Sequence, residues 1–278
     1  MSRQVLMVGL VLAGLSGLAF FIYMQTNQEK APLKPSASLN EIAPDFPKQE
    51  DKAPQTNKVS PPVVSAESLV QEIINEGSAE AEFSAISSVL KHFRKQVQSN
   101  IPSSAFEAGG KYSPDAFRDI YRKKLSEELN YDELKELDSI GKTRVLRQYS
   151  QAEREMLHDP SLATAILYAR EFKRHPPTPE RLSLLKAIDN AAHLSALTFA
   201  SLNILSKPLL QIAKKISQRP LNEKLVQKAM LIKLSICTKD YSEDDIRSLR
   251  DLLRSSVKQK ELSLRHAAIV QTLQSFPR

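Results

Sequence analysis

The sequence predicts an all-α protein carried on one N-terminal membrane-spanning helix, and three observations lead there. Glycine is scarce, with seven in 278 residues. Gly9, Gly14 and Gly17 fall in the first segment, which leaves too few for the tight hairpin turns of an all-β domain. A charge-free apolar run opens the chain, and beyond a proline-rich stretch the large apolar residues recur at helical spacing. With 41% hydrophobic residues the chain has enough apolar mass to pack a core.

The opening run, residues 5–24, reads VLMVGLVLAGLSGLAFFIYM. As a helix its length is about 30 Å, the thickness of a bilayer's hydrocarbon core. A cleaved secretory signal is the competing reading, since Arg3 supplies a positive start. The run is longer than a usual signal core, however, and Gln25-Thr-Asn-Gln-Glu-Lys30 offers no small-residue cleavage site directly after it. An uncleaved anchor is therefore expected. Met1 to Gln4 form a short tail most simply left in the cytoplasm, which places the rest of the chain outside it. No Asn-x-Ser/Thr acceptor and no cysteine pair occurs, which fits the periplasmic face of a bacterial inner membrane better than a eukaryotic lumen and fits a cytosolic domain as well, so the periplasmic placement expected here rests on the short tail. Within the span Gly9, Ala13 and Gly17 share one helix face, so a second copy could approach closely there and form a homodimer.

Residues 25–62 hold Pro32, Pro35, Pro44, Pro47, Pro54, Pro61 and Pro62 among Ser, Lys, Gln and Glu. Such a composition buries too little apolar surface to offset its ordering entropy, and it is expected to be a disordered tether. Extended at about 3.1 Å per residue, it reaches on the order of 100 Å.

The helical region divides by expectation into 63–177 and 178–278. Phe83, Ile86, Val89, Leu90, Phe93 and Val97 make one buried stripe, with Lys91, Arg94 and Lys95 on the opposite face. Ser113-Pro114-Asp115 is a helix start: the hydroxyl caps, the proline suits the first turn and the carboxylate meets the positive end of the helix. Phe117, Ile120, Tyr121 and Leu125 then face inward. Further helices are expected near 131–139, 142–157 and 160–174, the last closed by His175-Pro-Pro177. Cys237 lies in an apolar run, as a small buried hydrophobe does.

In the last hundred residues Ile188, Val226 and Leu264 are evenly spaced, as are Ala191, Ala229 and Ala267, and Leu194, Ile232 and Val270. Leu209, Ile212 and Ile216 match Ile246, Leu249 and Leu253 between them. A period of this length belongs to helical hairpin repeats. On these positions, and most closely over Glu261-Leu-Ser-Leu-Arg-His-Ala-Ala-Ile-Val270, the C-terminal third resembles α-solenoid repeats of the HEAT and armadillo type. That resemblance implies protein binding along a stacked surface, without catalysis.

No local metal-binding pattern links His92, His158, His175, His193 and His266, and no phosphate loop, serine elbow or dinucleotide fingerprint occurs. Neither a metal nor another cofactor is expected. Asp189 and His193 stand four apart, the spacing of a surface ion pair. Glu67-Ser68 resembles the Glu-Ser pair of lytic transglycosylases, but the glycine-containing motif that should follow is missing and Glu67 sits at a helix start. Arg247, Arg250 and Arg254 fall on the outer side of one helix, where they could meet an acidic partner, with Asp251 diluting the field. The net charge of +7 is spread thinly, tryptophan is absent and aromatics are 6%, so nucleic acid is not an expected partner. The function expected from these features is a membrane-anchored scaffold or adapter for another envelope protein. A glycan hydrolase or lyase acting on the cell wall, and a secreted helical protein with residues 5–24 removed, stay open as alternatives.

Overall fold

The computed structural model describes residues 64–96, 102–158, 162–201 and 223–274. The tail, the anchor with Gly9, Ala13 and Gly17, and the tether at 25–62 lie outside the described residues, as do Leu209, Ile212 and Ile216, Val97 and the side chains of Val89 and Phe93. Among the described residues every regular element is a helix and no strand occurs. None of these helices is long and apolar enough to cross a membrane.

Helix α1 (Ala66–Glu76) starts where the Ser65 hydroxyl accepts from the Ser68 amide at 3.1 Å, and it buries Leu69, Val70 and Ile74. Its last carbonyls receive the Arg154 guanidinium, at 3.1 Å for Asn75 and 3.3 Å for Glu76, which satisfies groups a helix end leaves orphaned. Helix α2 (Ala79–Gln96) buries Phe83, Ile86 and Leu90 from the expected stripe. A 3₁₀ turn at Ser103–Phe106 is tightened by Gly110, where a Cβ would stand 2.1 Å from the Ser104 carbonyl oxygen. Only glycine fits at that approach.

Helix α3 (Pro114–Glu128) begins at Ser113 as expected, with the hydroxyl accepting from the Ala116 amide at 3.2 Å. Phe117 stacks on Phe83 at 4.8 Å and on Tyr121 at 5.6 Å, so a three-ring column joins α2 to α3. Helix α4 (Tyr131–Gly141) opens on a reciprocal Asn130–Glu133 capping box. Helices α5 (Arg144–His158) and α6 (Leu162–Arg174) follow. Helix α7 (Pro179–Ala192) is capped by Thr178 and stops at His193, whose φ of 52° is left-handed. Residues 194–201 are helical again. The chain continues with α8 (Glu223–Cys237), α9 (Glu243–Arg254), opened by a Ser242–Asp245 capping box, and α10 (Ser256–Gln274).

Two apolar clusters hold these helices. One joins α1 to α4 with Val226 and Ala229 of α8 and Val257, Ala268, Ile269 and Leu273 of α10. The other joins Leu146, Tyr149 and Met156 of α5 to Leu185 and Ile188 of α7, Met230 and Leu234 of α8, and Ile246, Leu249 and Leu253 of α9. Both clusters thus draw on helices from each side of residue 178. Helix α10 packs chiefly on α3, while α9 packs on α7. Of the three evenly spaced alanines, Ala229 is fully buried, whereas Ala191 and Ala267 are half-buried and their neighbours Ala192 and Ala268 take the inner positions. In α10, where Leu264 and Val270 are half-buried as well, the inward face is therefore turned from the aligned phase, whereas in α7 Ile188 stays fully buried.

Candidate functional site

At the junction of α2, α3, α5, α8 and α10 the interior is charged. Lys233 of α8, 6% exposed, pairs with Glu153 of α5, 4% exposed, and the Ser78 hydroxyl donates to the same carboxylate. Arg265 of α10 pairs with Glu82 of α2, across 183 residues of chain. Lys258 of α10 pairs with Glu261 at 2.7 Å, and the Tyr121 hydroxyl of α3 donates to Glu261. The pairs exist because burying any one of these charges alone costs far more than burying it with its partner. Each inter-helix pair also fixes where α10 and α8 sit.

The shifts of these groups follow from that matching. Burial on its own pushes the Glu153 carboxyl up, but Lys233 and Arg265, with the hydrogen bonds from Lys233 and Ser78, hold it down at about 2. Burial likewise opposes ionisation of Glu261, and Lys258 and Arg265 overcome it. Burial, reinforced by the Glu261 charge, drives the Tyr121 hydroxyl well above its usual range. Because the folded carboxyl of Glu153 titrates below its ordinary 4.5, its contribution to stability is complete above that value and is lost as pH falls toward 2. Thermal melts across that window are expected to show a falling midpoint. A midpoint unchanged down to pH 2 would contradict the pairing.

Two small cavities flank Arg265. One, of about 60 Å³, is lined by Glu82, Thr198, Ser201, Lys233, Arg265 and His266, with apolar walls behind them. The other, of about 50 Å³, touches Ser78, Tyr121, Glu153 and Glu261. In the first, the Ser201 hydroxyl lies 2.8 Å from His266 Nδ1. Burial lowers the pKa of the His266 imidazole against the opposing pull of Glu82.

The residues singled out in the sequence fall elsewhere. Arg247 is bound within its own helix by Glu243 at 3.0 Å and Asp244 at 2.7 Å, Arg250 by Asp251 at 2.8 Å, and Arg254 is exposed at the helix end. The positive field of that stripe is thereby largely cancelled by its own helix. Asp189 and His193 do not form a surface ion pair. Asp189 is buried and accepts from the Ser195 amide and hydroxyl, each at 2.8 Å, capping residues 194–201, while His193 makes the exposed left-handed turn. Glu67 lies exposed in the first turn of α1. Among the described residues no group of three or more His, Cys, Asp or Glu could hold a metal ion.

Cys237 is buried, as its apolar run implies, and burial pushes its thiol up to about 12. A disulfide reagent at pH 8 is expected to react with it only as fast as the domain opens. Reaction at the rate of a free thiol in the native protein would refute that placement.

Sequence reasoning missed the buried pairs. A signal existed for Glu153, which falls on the inward phase set by Leu146, Tyr149 and Leu157. The chain matches no known protein family, no curated protein and no solved structure.

Proposed function

We propose that this chain is a membrane-anchored helical scaffold of the bacterial envelope, held at a distance from the inner membrane by residues 25–62 and binding another envelope protein. The observation that carries this reading is the matching of the buried charges. Glycan cleavage needs a carboxylic acid whose pKa is raised so that it can donate a proton. Glu153 and Glu261 move the opposite way and are each committed to a lysine, while Asp189, the carboxyl that burial raises, is held by the Ser195 amide and hydroxyl as a helix cap. Chemistry spent in this way makes a rigid platform, and a rigid platform loses less entropy when a partner docks on it.

The test is photo-crosslinking from exposed positions of α6 and α9 in the full chain, in native membranes. A discrete product with one envelope protein is expected. Reversal of Arg247, Arg250 and Arg254 to Glu asks whether their stripe takes part, and unaltered crosslinking would remove it from the surface. Release of muropeptides from cell wall by the purified protein, without any crosslinked partner, would replace the scaffold reading with the hydrolase or lyase.

A further inference from the structure

The Ser201–His266 pair borders the charge network at Glu82, Lys233 and Arg265 and has a chemistry of its own. Ser201 is 4% exposed, yet it lines the cavity of about 60 Å³ together with His266, Lys233 and Arg265. Its hydroxyl is within hydrogen-bond reach of His266 Nδ1, at 2.8 Å, and a neutral imidazole can accept the proton there. A serine becomes a nucleophile when an adjacent base of this kind removes its proton as it attacks. Lys233 and Arg265 line the same wall, each paired with a carboxylate. Glu82 sits on that wall as well, paired with Arg265, so the arrangement gathers a hydroxyl, a base, a carboxylate and positive charge around one small space.

We propose that Ser201 is an activated nucleophile, with His266 as its general base, and that it accepts a short acyl group from a small ester entering this cavity. In the forward step the Ser201 Oγ forms a bond to the ester carbonyl carbon and the carbon–alkoxide bond breaks. The Ser201 proton passes to His266 Nδ1 and from there to the departing alkoxide, which leaves as an alcohol. Water, deprotonated by the same nitrogen, then hydrolyses the acyl-serine to a carboxylic acid and regenerates the hydroxyl. The cavity is several times smaller than the roughly 300 Å³ and upward typical of sites for drug-sized ligands, which restricts the acyl group to a few carbons.

This inference is independent of the scaffold reading, because the chemistry is the same whether or not the chain is anchored. It is tested on the full chain in detergent with a fluorophosphonate probe, which traps activated serines as the Oγ–phosphorus bond replaces phosphorus–fluoride and the proton leaves with fluoride. Peptide mapping is expected to place one adduct on Ser201, and Ser201→Ala removes it. His266→Gln is expected to slow labelling by at least about 100-fold, the usual loss on removing a general base, with the circular dichroism spectrum unchanged. p-Nitrophenyl acetate supplies a second readout, a burst of nitrophenol equal to the protein concentration. A wild-type chain without an adduct on Ser201 overturns the proposal even if both variants fail to fold. Labelling at an undiminished rate in folded His266→Gln overturns the role of the imidazole.

Discussion

Replacing Lys233 with Met is expected to cost about 3–5 kcal/mol of unfolding free energy, because it strands the Glu153 carboxylate in the interior without its partner. Glu153 is 4% exposed, so water cannot take over what the ammonium provided. The Ser78 hydroxyl remains as a donor, and the Arg265 charge still reaches the site, which keeps the loss from growing further. Urea unfolding of the two proteins measures the difference. The double variant Glu153→Leu with Lys233→Met is expected to recover most of it, since an apolar pair of similar volume needs no matching charge. A loss under about 1 kcal/mol in the single variant, the scale of an exposed ion pair, would show that the pair is solvated.

The second large effect is apolar. Phe117 is fully buried between Phe83 and Tyr121, and its ring is the middle of the column that joins α2 to α3. Phe117→Ala removes the stacking and leaves a cavity, for an expected cost of about 3–5 kcal/mol. Phe117→Leu keeps most of the volume and is expected to lose clearly less, which separates packing from any effect on the Ser113 cap nearby. Equal losses in the two variants would point to the cap or to local strain, and would contradict the column as the source.

These two side chains show what the sequence could and could not reveal. Phe117 was legible, because it repeats with Ile120, Tyr121 and Leu125 at helical spacing behind a Ser-Pro-Asp start. The buried stripe of α2 was legible for the same reason at Phe83, Ile86 and Leu90. Lys233 was not, because a lysine between Ile232 and Leu234 reads as the solvent side of an apolar helix unless its partner is known, and that partner is in α5. Arg265 lies inside the segment that most resembles a repeat helix, yet its partner Glu82 is 183 residues away. Pairing across such distances depends on which helices pack together, and local periodicity carries no information about that. The same limit explains Asp189, where spacing to His193 suggested a surface pair while the chain turn brought Ser195 onto the carboxylate. His266 and Ser201 meet only because residues 194–201 fold back on α10, so neither could be ranked above the other histidines and serines from sequence.

The most direct test of the account is where the chain resides and with which N-terminus. Intact mass of the protein recovered from cells, after separating soluble from membrane fractions and washing the membranes at alkaline pH, addresses both. A membrane-retained chain that still contains residues 5–24 is expected, with the helical domain cleaved by protease only when the periplasmic side is opened to it. A soluble protein that begins beyond Met24 would contradict it.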